Sequence, residues 1–350
     1  MVKMLDINKN MPDNLLDRQT DRQTDRQTDR QTDRQTDRQT DRLILIPYAD
    51  LDNANTGVNI TKRSNRKEIY LKNCCVALLS AKRYNKDCDV ALVTNIDVPD
   101  NYQRLLLRNN IKIISVNFDS FRFADKYTWA LAFYKLCALK HVVKEYDYKY
   151  YAYLDSDVYV QSSFDCIWKE CDCNIMLYDI NHGLQVENYR RLMSEVFEFR
   201  GKREIITHYG GEFFAANREN SEKFIDSCEK VFAKMNANGT VTQFGDEFIL
   251  CVAASEYRSI VKNSGAYIYR YWTGSFRLVS TNYERNKVAI LHVPDEKQRG
   301  MIKLFDKFYR QDKVPELKKV YKILRLSKLD SITKLKIVIK KILKKYETYN

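Results

Sequence analysis

The sequence predicts an α/β protein built on a mainly parallel sheet flanked by helices. Three observations lead there. From residue 43 to 160, short apolar runs alternate with stretches of helical period, in the order strand, helix, strand, helix, strand. The composition is that of a packed globular chain, with 44% hydrophobic and 12% aromatic residues over 350 positions. The run Tyr150–Val160, YYAYLDSDVYV, reads as a late buried strand carrying two carboxylates where strands of such sheets meet their ligands.

The elements follow in order. Asp17–Arg42 is a DRQT repeat, six full units and then Asp41-Arg42, with no apolar residue to bury. It is expected to be a solvated leader, set apart as residues 1–42. Its residues can be encoded by a repeated tetranucleotide, whose loss of one copy shifts the reading frame. That makes slipped-strand switching of expression a hypothesis, and mixed codons in the coding DNA would defeat it. LILIPYAD (43–50) is a first strand halted by Pro47, and 53–65 is polar loop. Arg66–Tyr84 is roughly helical, VALVT (90–94) a second strand, Asn101–Arg108 a helix and IKIISV (111–116) a third strand. Tyr127–Tyr146 is expected to be one long helix leading into the Tyr151–Tyr159 strand. NIMLYD (174–179) is a strand, Asn181–Arg203 a helix, and EFFAA within 208–218 a strand opened by Gly210-Gly211. Ser221 is the expected N-cap of a helix through Met235, ended by Asn238-Gly239. An apolar helix follows Gly245-Asp246-Glu247, and AILHV (289–293) is a late strand ending on a histidine.

Charge divides the chain. Its formal net charge is +13, of which residues 313–350 contribute +9 (eleven Lys and one Arg against three acids), leaving about +4 for the remainder. A near-neutral body with a basic tail does not fit a protein that coats nucleic acid, and no nucleic-acid partner is expected. In the tail, Leu329–Tyr346 sets Ile332, Leu335, Val338, Ile339, Ile342, Leu343 and Tyr346 at helical spacing among lysines. Such a helix either lies on an anionic membrane surface, the reading adopted here, or docks on the domain. The nine cysteines follow no secretory signal, so reduced thiols in the cytoplasm are expected. Cys166, Cys171 and Cys173 have no nearby His to complete a zinc site. No apolar run reaches the ~18–20 residues of a membrane span.

Asp155 and Asp157 carry the chemistry. Residues two apart on a strand share a face. Two anions about 7 Å apart repel by roughly 2 kcal/mol at an effective dielectric of 20. A hard divalent cation turns that repulsion into ligation. Taken alone, the pair is either a metal site or a strand end with two turn-forming acids.

The segment FYKLCALKHVVKEYDYKYYAYLDSDVYVQSSFDCIW (133–168) resembles the core of nucleotide-sugar glycosyltransferases of the GT-A fold, above all glycosyltransferase family 8. Leu154–Val158 matches that family's L-D-x-D-x-x-V, and Trp168 its Leu-Trp ending. GGEFFAANRENSEKF (210–224) is similar to its N-A-G-V-x-x-x-N segment, with Gly-Gly-Glu in place of Asn-Ala-Gly. QFGDEFIL (243–250) resembles its acidic stretch. LHVPDEK (291–297) keeps the His and Lys of its H-x-x-G-x-x-K and lacks the glycine. The Gly-Gly-x-Phe-Phe run is also similar to family 6. The likeness spans residues 43–300 and implies one GT-A-like domain over 43–312, followed by the 313–350 tail.

The resemblance implies that Asp155, Asp157 and His292 hold Mn²⁺ or Mg²⁺ on a donor diphosphate, which Lys297 contacts. Lys135 corresponds to the basic residue of the family's helix, although it lies about a turn too far along. Asp246 and Glu247 fall where residues beside the anomeric carbon are expected, with Glu212 a further catalytic candidate. The implied activity is transfer of a hexose from a nucleotide sugar, with a UDP-linked donor favoured, to a lipid-linked or glycan acceptor at the inner face of a bacterial cytoplasmic membrane. Retention of configuration is expected, as in both families. Two rivals predict otherwise. A non-catalytic membrane-surface scaffold would bind lipid but no nucleotide. A nucleotidyltransferase needs a Gly-rich basic loop after the first strand, and Pro47–Ile60 supplies one glycine and no Lys or Arg.

Overall fold

The structure is a computed structural model whose described residues are 40–51, 60, 65–123, 127–180, 186–274, 277–280, 285–327, 331, 332, 335 and 337–339. Residues 1–39, with most of the DRQT repeat, lie outside them, as does most of the polar stretch 53–65. Contacts group Asp41–Asn350 into one compact unit. The last two repeat residues belong to it. Arg42 opens strand β1 (Arg42–Tyr48), and the Asp41 carbonyl accepts 2.9 Å hydrogen bonds from the Lys149 and Tyr150 amides.

A seven-stranded sheet has the order β3-β2-β1-β4-β7-β6-β8. Its strands include β2 (Asp89–Thr94), β3 (Lys112–Ser115), β4 (Tyr150–Leu154), β6 (Ile175–Asp179), β7 (Tyr209–Asn217) and β8 (Val261–Asn263). β3, β2, β1 and β4 run parallel, and β7 is antiparallel to both its neighbours. Three short strands, β5 (Val158–Val160), β9 (Ile268–Arg270) and β10 (Ile290–His292), form a second sheet in the order β5-β10-β9.

Both faces of the main sheet are covered, which is why inner runs such as Leu43–Ile46 and Val90–Val93 are apolar at every position. Ile44, Ile46, Ala152 and Leu154 point into one core with helix α1 (Arg66–Tyr84). Leu43, Leu45, Tyr151 and Tyr153 point into the other, against α3 (Tyr134–Glu145), α6 (Arg218–Ala237) and α7 (Asp246–Ala254). Helix α1 has a sound sequence basis: the Asn65 side chain accepts from the Glu68 amide, and Lys82 and Arg83 sit in its last turn. Helices α2 (Asp100–Leu107), α4 (Cys166–Glu170) and α5 (Val186–Arg200) complete the set before β7.

The structure corrects four expectations. Pro47 does not halt the first strand, since it pairs in register with Val93. β4 pairs with β1 only as far as Leu45, so the missing proline N–H faces a sheet position with a single neighbour. The expected helix over Tyr127–Tyr146 is a 3₁₀ turn, Ala130–Phe133, before α3 begins at Tyr134. Tertiary contacts hold that opening: the Tyr127 hydroxyl donates to the Thr242 carbonyl, and Trp129 packs beside Gly245. Helix α6 starts three residues before Ser221, capped by Asn217, whose side chain accepts from the Asn220 amide at 2.8 Å. Finally, Tyr150–Val160 is not one strand. It breaks at Asp155–Asp157 and passes from the large sheet to the small one.

All nine cysteines are free thiols. No helix among the described residues is long and apolar enough to cross a membrane. The tail forms a helix at Leu317–Ile323, and most of Leu329–Tyr346 lies outside the described residues.

Candidate active site

The break after β4 builds the site. At the end of β4 the Asp155 amide donates to the Glu212 carbonyl of β7 at 3.0 Å. The chain then turns, and the Asp157 carbonyl accepts from the Val293 amide at 3.0 Å. β5 runs antiparallel to β10 with Val158 opposite His292, which delivers the imidazole beside Asp157. One ligand atom each from Asp155, Asp157 and His292 lie within 4.8 Å of one another. The expected three residues are thus assembled from two strand ends some 135 positions apart in the chain.

Asp157 is fully buried, and neither of its oxygens has a hydrogen-bond partner among the described residues. His292 Nε2 at 3.4 Å and Lys297 Nζ at 3.3 Å from Oδ2 stand as ion pairs. Burial opposes ionisation of Asp157, but Lys297 and His292 outweigh it and hold the carboxyl well below its usual range. Burial likewise resists charge on His292, while Asp157 and Glu212 push its pKa up to about 9. A buried carboxylate held only by ion pairs, beside a second carboxylate and an imidazole, fits the donor set of a divalent cation such as Mn²⁺ or Mg²⁺.

A second set of charges adjoins this one. Lys135 Nζ lies 2.9 Å from Asp246 Oδ2 and 3.9 Å from Asp155 Oδ2, so the late start of α3 brings it between the two. Asp246, at the start of α7, is raised to about 6, mainly by burial and against the pull of Lys135. Glu247 Oε2 lies 3.0 Å from His208 Nε2, and its Oε1 lies 3.0 Å from Arg270 Nη2. Arg270 also donates through Nε to Glu212 Oε1 at 2.7 Å and through Nη2 to Glu212 Oε2. Burial opposes ionisation of Glu212 too, yet Arg270 and His292 hold it far below the usual carboxylate range. Gly210-Gly211 makes room for this packing. A Cβ on Gly211 would collide with the Asp246 carboxylate and stand 2.7 Å from Lys135 Nζ.

These groups line a cavity of about 350 Å³ at the carboxyl ends of β1 and β4. Tyr48, Arg66 and Tyr70 form one part of its wall, with the tyrosine rings stacked at 5.7 Å between centroids. Trp129, Phe244 and Trp272 line another, with Asn188 and Arg191 of α5 also on the wall. Every expected site residue except Asp157 is on the lining, and Asp157 lies directly behind it.

No motif in the sequence marks His208 or Arg270. Only pairing of β9 beside β10, which sets Arg270 opposite His292, reveals the arginine's place. The aromatic wall of Tyr48 and Tyr70 left no sequence signal, because neither residue stands in a motif.

No family model matches the chain, and no curated protein matches it. Solved structures do. A structure of the galactosyltransferase LgtC in complex with donor and acceptor sugar analogues is 13% identical, with 79% of this chain and 99% of that chain covered and a TM-score of 0.48. An active-site mutant of LgtC is 16% identical over the same shares, with a TM-score of 0.50. At these identities the likeness is one of fold. The chain has a GT-A-like fold, as its sequence led one to expect.

Proposed function

We propose that the chain is a metal-dependent glycosyltransferase that moves a hexose from a nucleotide sugar, with a UDP-sugar the favoured donor, onto a glycan acceptor. The observation that carries this reading is Asp157. A fully buried carboxylate met only by the ion pairs to His292 and Lys297, and grouped with Asp155 and His292 at the edge of the cavity, is the kind of donor a hard divalent cation takes. The fold shared with LgtC agrees with it.

Asp155, Asp157 and His292 would hold the cation. When bound, it would supply positive charge to the donor diphosphate. The side chains do the rest. Lys297 offers its ammonium to the leaving diphosphate, where stabilising developing charge is usually the largest catalytic contribution. Tyr48 and Tyr70 offer flat apolar surface to a nucleobase. Asp246 and Glu247, on the same cavity lining as Lys297, would be the carboxylates for the anomeric carbon, in keeping with a retaining outcome. Lys135, locked between Asp155 and Asp246, fixes the spacing of the two halves. Trp129 and Trp272 offer ring faces to sugar.

We further propose that the acceptor is a lipid-linked or other surface glycan, such as lipooligosaccharide or capsule, met at the inner face of a bacterial cytoplasmic membrane. Ile332, Leu335, Val338 and Ile339 are 67%, 60%, 41% and 45% exposed, and the lysine-rich sequence around them suits anionic lipid. Sedimentation with vesicles containing anionic lipid, compared with neutral vesicles and with a chain ending at residue 327, tests that attachment. The enzymatic reading is tested by calorimetry of UDP with and without Mn²⁺, followed by a donor screen with mass-spectrometric detection. Metal-dependent UDP binding and turnover of at least one UDP-sugar are expected. Lipid binding with no nucleotide binding would favour a scaffold instead.

A further inference from the structure

We propose that Glu212 is a positioning residue that fixes the imidazole of His292 so that its Nε2 faces the two aspartates. The inference rests on the reading of Asp155, Asp157 and His292 as a divalent-cation site.

β9 and β10 run parallel with Arg270 opposite His292, so the guanidinium and the imidazole stand side by side. Glu212, from the other sheet, spans both. Its carboxylate is completely buried, yet each oxygen is bonded. Oε1 accepts from Arg270 Nε at 2.7 Å and lies 3.1 Å from His292 Nδ1, while Oε2 accepts from Arg270 Nη2. A carboxylate only accepts, so His292 Nδ1 must carry the hydrogen. The remaining ring nitrogen, Nε2, then points towards Asp157, 3.4 Å away. A ring torsion of this kind has two broad minima, and the partner of Nδ1 favours the one that turns Nε2 to Asp157. Metal-binding histidines are commonly fixed in this way by an acid behind the ring.

Glu212 can hold the ring because it is itself held. The Arg270 fork grips both its oxygens, the most directional carboxylate contact available. Glu247 Oε1, 3.0 Å from Arg270 Nη2, keeps the guanidinium from turning away. Gly210 leaves the space: a Cβ there would collide with Glu212 Oε2 and sit 2.6 Å from Arg270 Nη2. The run Gly-Gly-Glu, which replaces the Asn-Ala-Gly of the family the sequence resembles, supplies both the acid and its clearance. With both oxygens engaged, Glu212 is suited to orienting a neighbour.

The test uses the 350-residue chain and Mn²⁺ alone, with no donor present. Continuous-wave electron paramagnetic resonance counts free Mn²⁺ and gives the affinity. Electron spin-echo modulation reports whether a ¹⁴N atom is bonded to the ion. Wild type should bind Mn²⁺ with a ¹⁴N coupling that His292→Ala removes. Glu212→Ala should lose the coupling and bind Mn²⁺ about 10- to 100-fold more weakly. Glu212→Gln, whose amide oxygen can still accept from Nδ1, should keep the coupling and most of the affinity. Should Glu212→Ala fail to fold because Arg270 is stranded, the pair Glu212→Ala with Arg270→Met removes both charges and should lose the coupling alike. Coupling and affinity within twofold of wild type in either alanine variant overturn the proposal. So does equal loss in Glu212→Gln and Glu212→Ala, which would assign the effect to charge and not to ring placement. A wild-type chain that binds no Mn²⁺ overturns the cation-site reading, and this proposal with it.

Discussion

Asp157 and Glu212 are both wholly buried carboxylates, both kept ionised by cations against the cost of burial, and both next to the same imidazole. They differ in what their lone pairs do. Every oxygen of Glu212 is taken by Arg270 or His292, whereas neither oxygen of Asp157 has a hydrogen bond among the described residues. One acid is spent on the protein; the other, in the proposed reading, is presented to a cation. Burial alone therefore does not separate the two acids, and neither does a depressed pKa. What separates them is that Glu212 is engaged by hydrogen bonds and Asp157 by ion pairs.

Substitutions at the two positions should fail in different ways. Asp157→Asn keeps the shape and removes a ligand charge, so the largest effect is on function. Donor turnover should fall about 10³-fold or more, equivalent to ~4 kcal/mol of transition-state stabilisation. Metal-dependent UDP binding should vanish from calorimetry, and the melting temperature should also fall, because Lys297 and His292 lose a buried counter-ion. Turnover within tenfold of wild type would sink the assignment of Asp157. Arg270→Met acts on the protein-facing side. It strands Glu212 and weakens the hold on Glu247, and uncompensated buried charge typically costs about 3–5 kcal/mol. Urea unfolding should register that loss before any assay does. An unfolding midpoint unchanged from wild type would show that Arg270 is not the counter-ion drawn above.

How far the sequence could carry this contrast depends on the range of each contact. Asp155-Ser156-Asp157 is legible because the two acids are neighbours in the sequence and sit where an apolar strand stops. The parallel core is legible for a similar reason: strands such as Leu43–Ile46 and Val90–Val93 are buried on both faces and cannot be mistaken for surface. Arg270 is not legible, because its meaning comes from strand pairing with His292 and from two acids 58 and 23 residues away. His208 fails for the same reason, meeting Glu247 across 39 residues. The break at Asp155 was also hidden. Val158–Val160 is as apolar as β4, and only the pairing with β10 shows that it belongs to another sheet.

Gly211→Ala probes the space between the two sets of charges. Its new methyl would collide with the Asp246 carboxylate and approach Lys135, neither of which has free room, since Lys135 is pinned to Asp155 and Asp246. Overpacking of this kind costs up to about 3 kcal/mol. The expected result is lowered stability together with lowered turnover, because the spacing of Asp155 and Asp246 shifts. If the variant matched wild type in both measurements, the tight fit of Lys135 would not matter to the site.

The smallest effect separates Asp246 from the acids on either side of it. Its pKa in the folded chain is about 6, raised from 3.8 chiefly by burial, with Lys135 opposing and Glu247 and Asp155 adding to the rise. A raised carboxyl pKa means that the folded state favours the proton. The stabilisation is complete below the unfolded value and is lost as pH rises through about 6. Asp157, Glu212 and Glu247 behave oppositely. Their pKa values are depressed, so their contributions are intact above about pH 4.5 and are lost only in stronger acid. His292, raised to about 9, keeps its contribution up to its unfolded value near 6.5. Between pH 4.5 and 6, Asp246 thus titrates apart from these four. Urea unfolding of wild type and Asp246→Asn across pH 4.5 to 7 should show wild type losing about 2 kcal/mol relative to the variant. Over the same interval, wild-type turnover should climb with pH and level off above about 6 as Asp246 ionises beside the sugar. A stability difference that stays constant across the interval would mean that Asp246 is already ionised at pH 4.5, placing it with Asp157 and Glu212 and not apart from them.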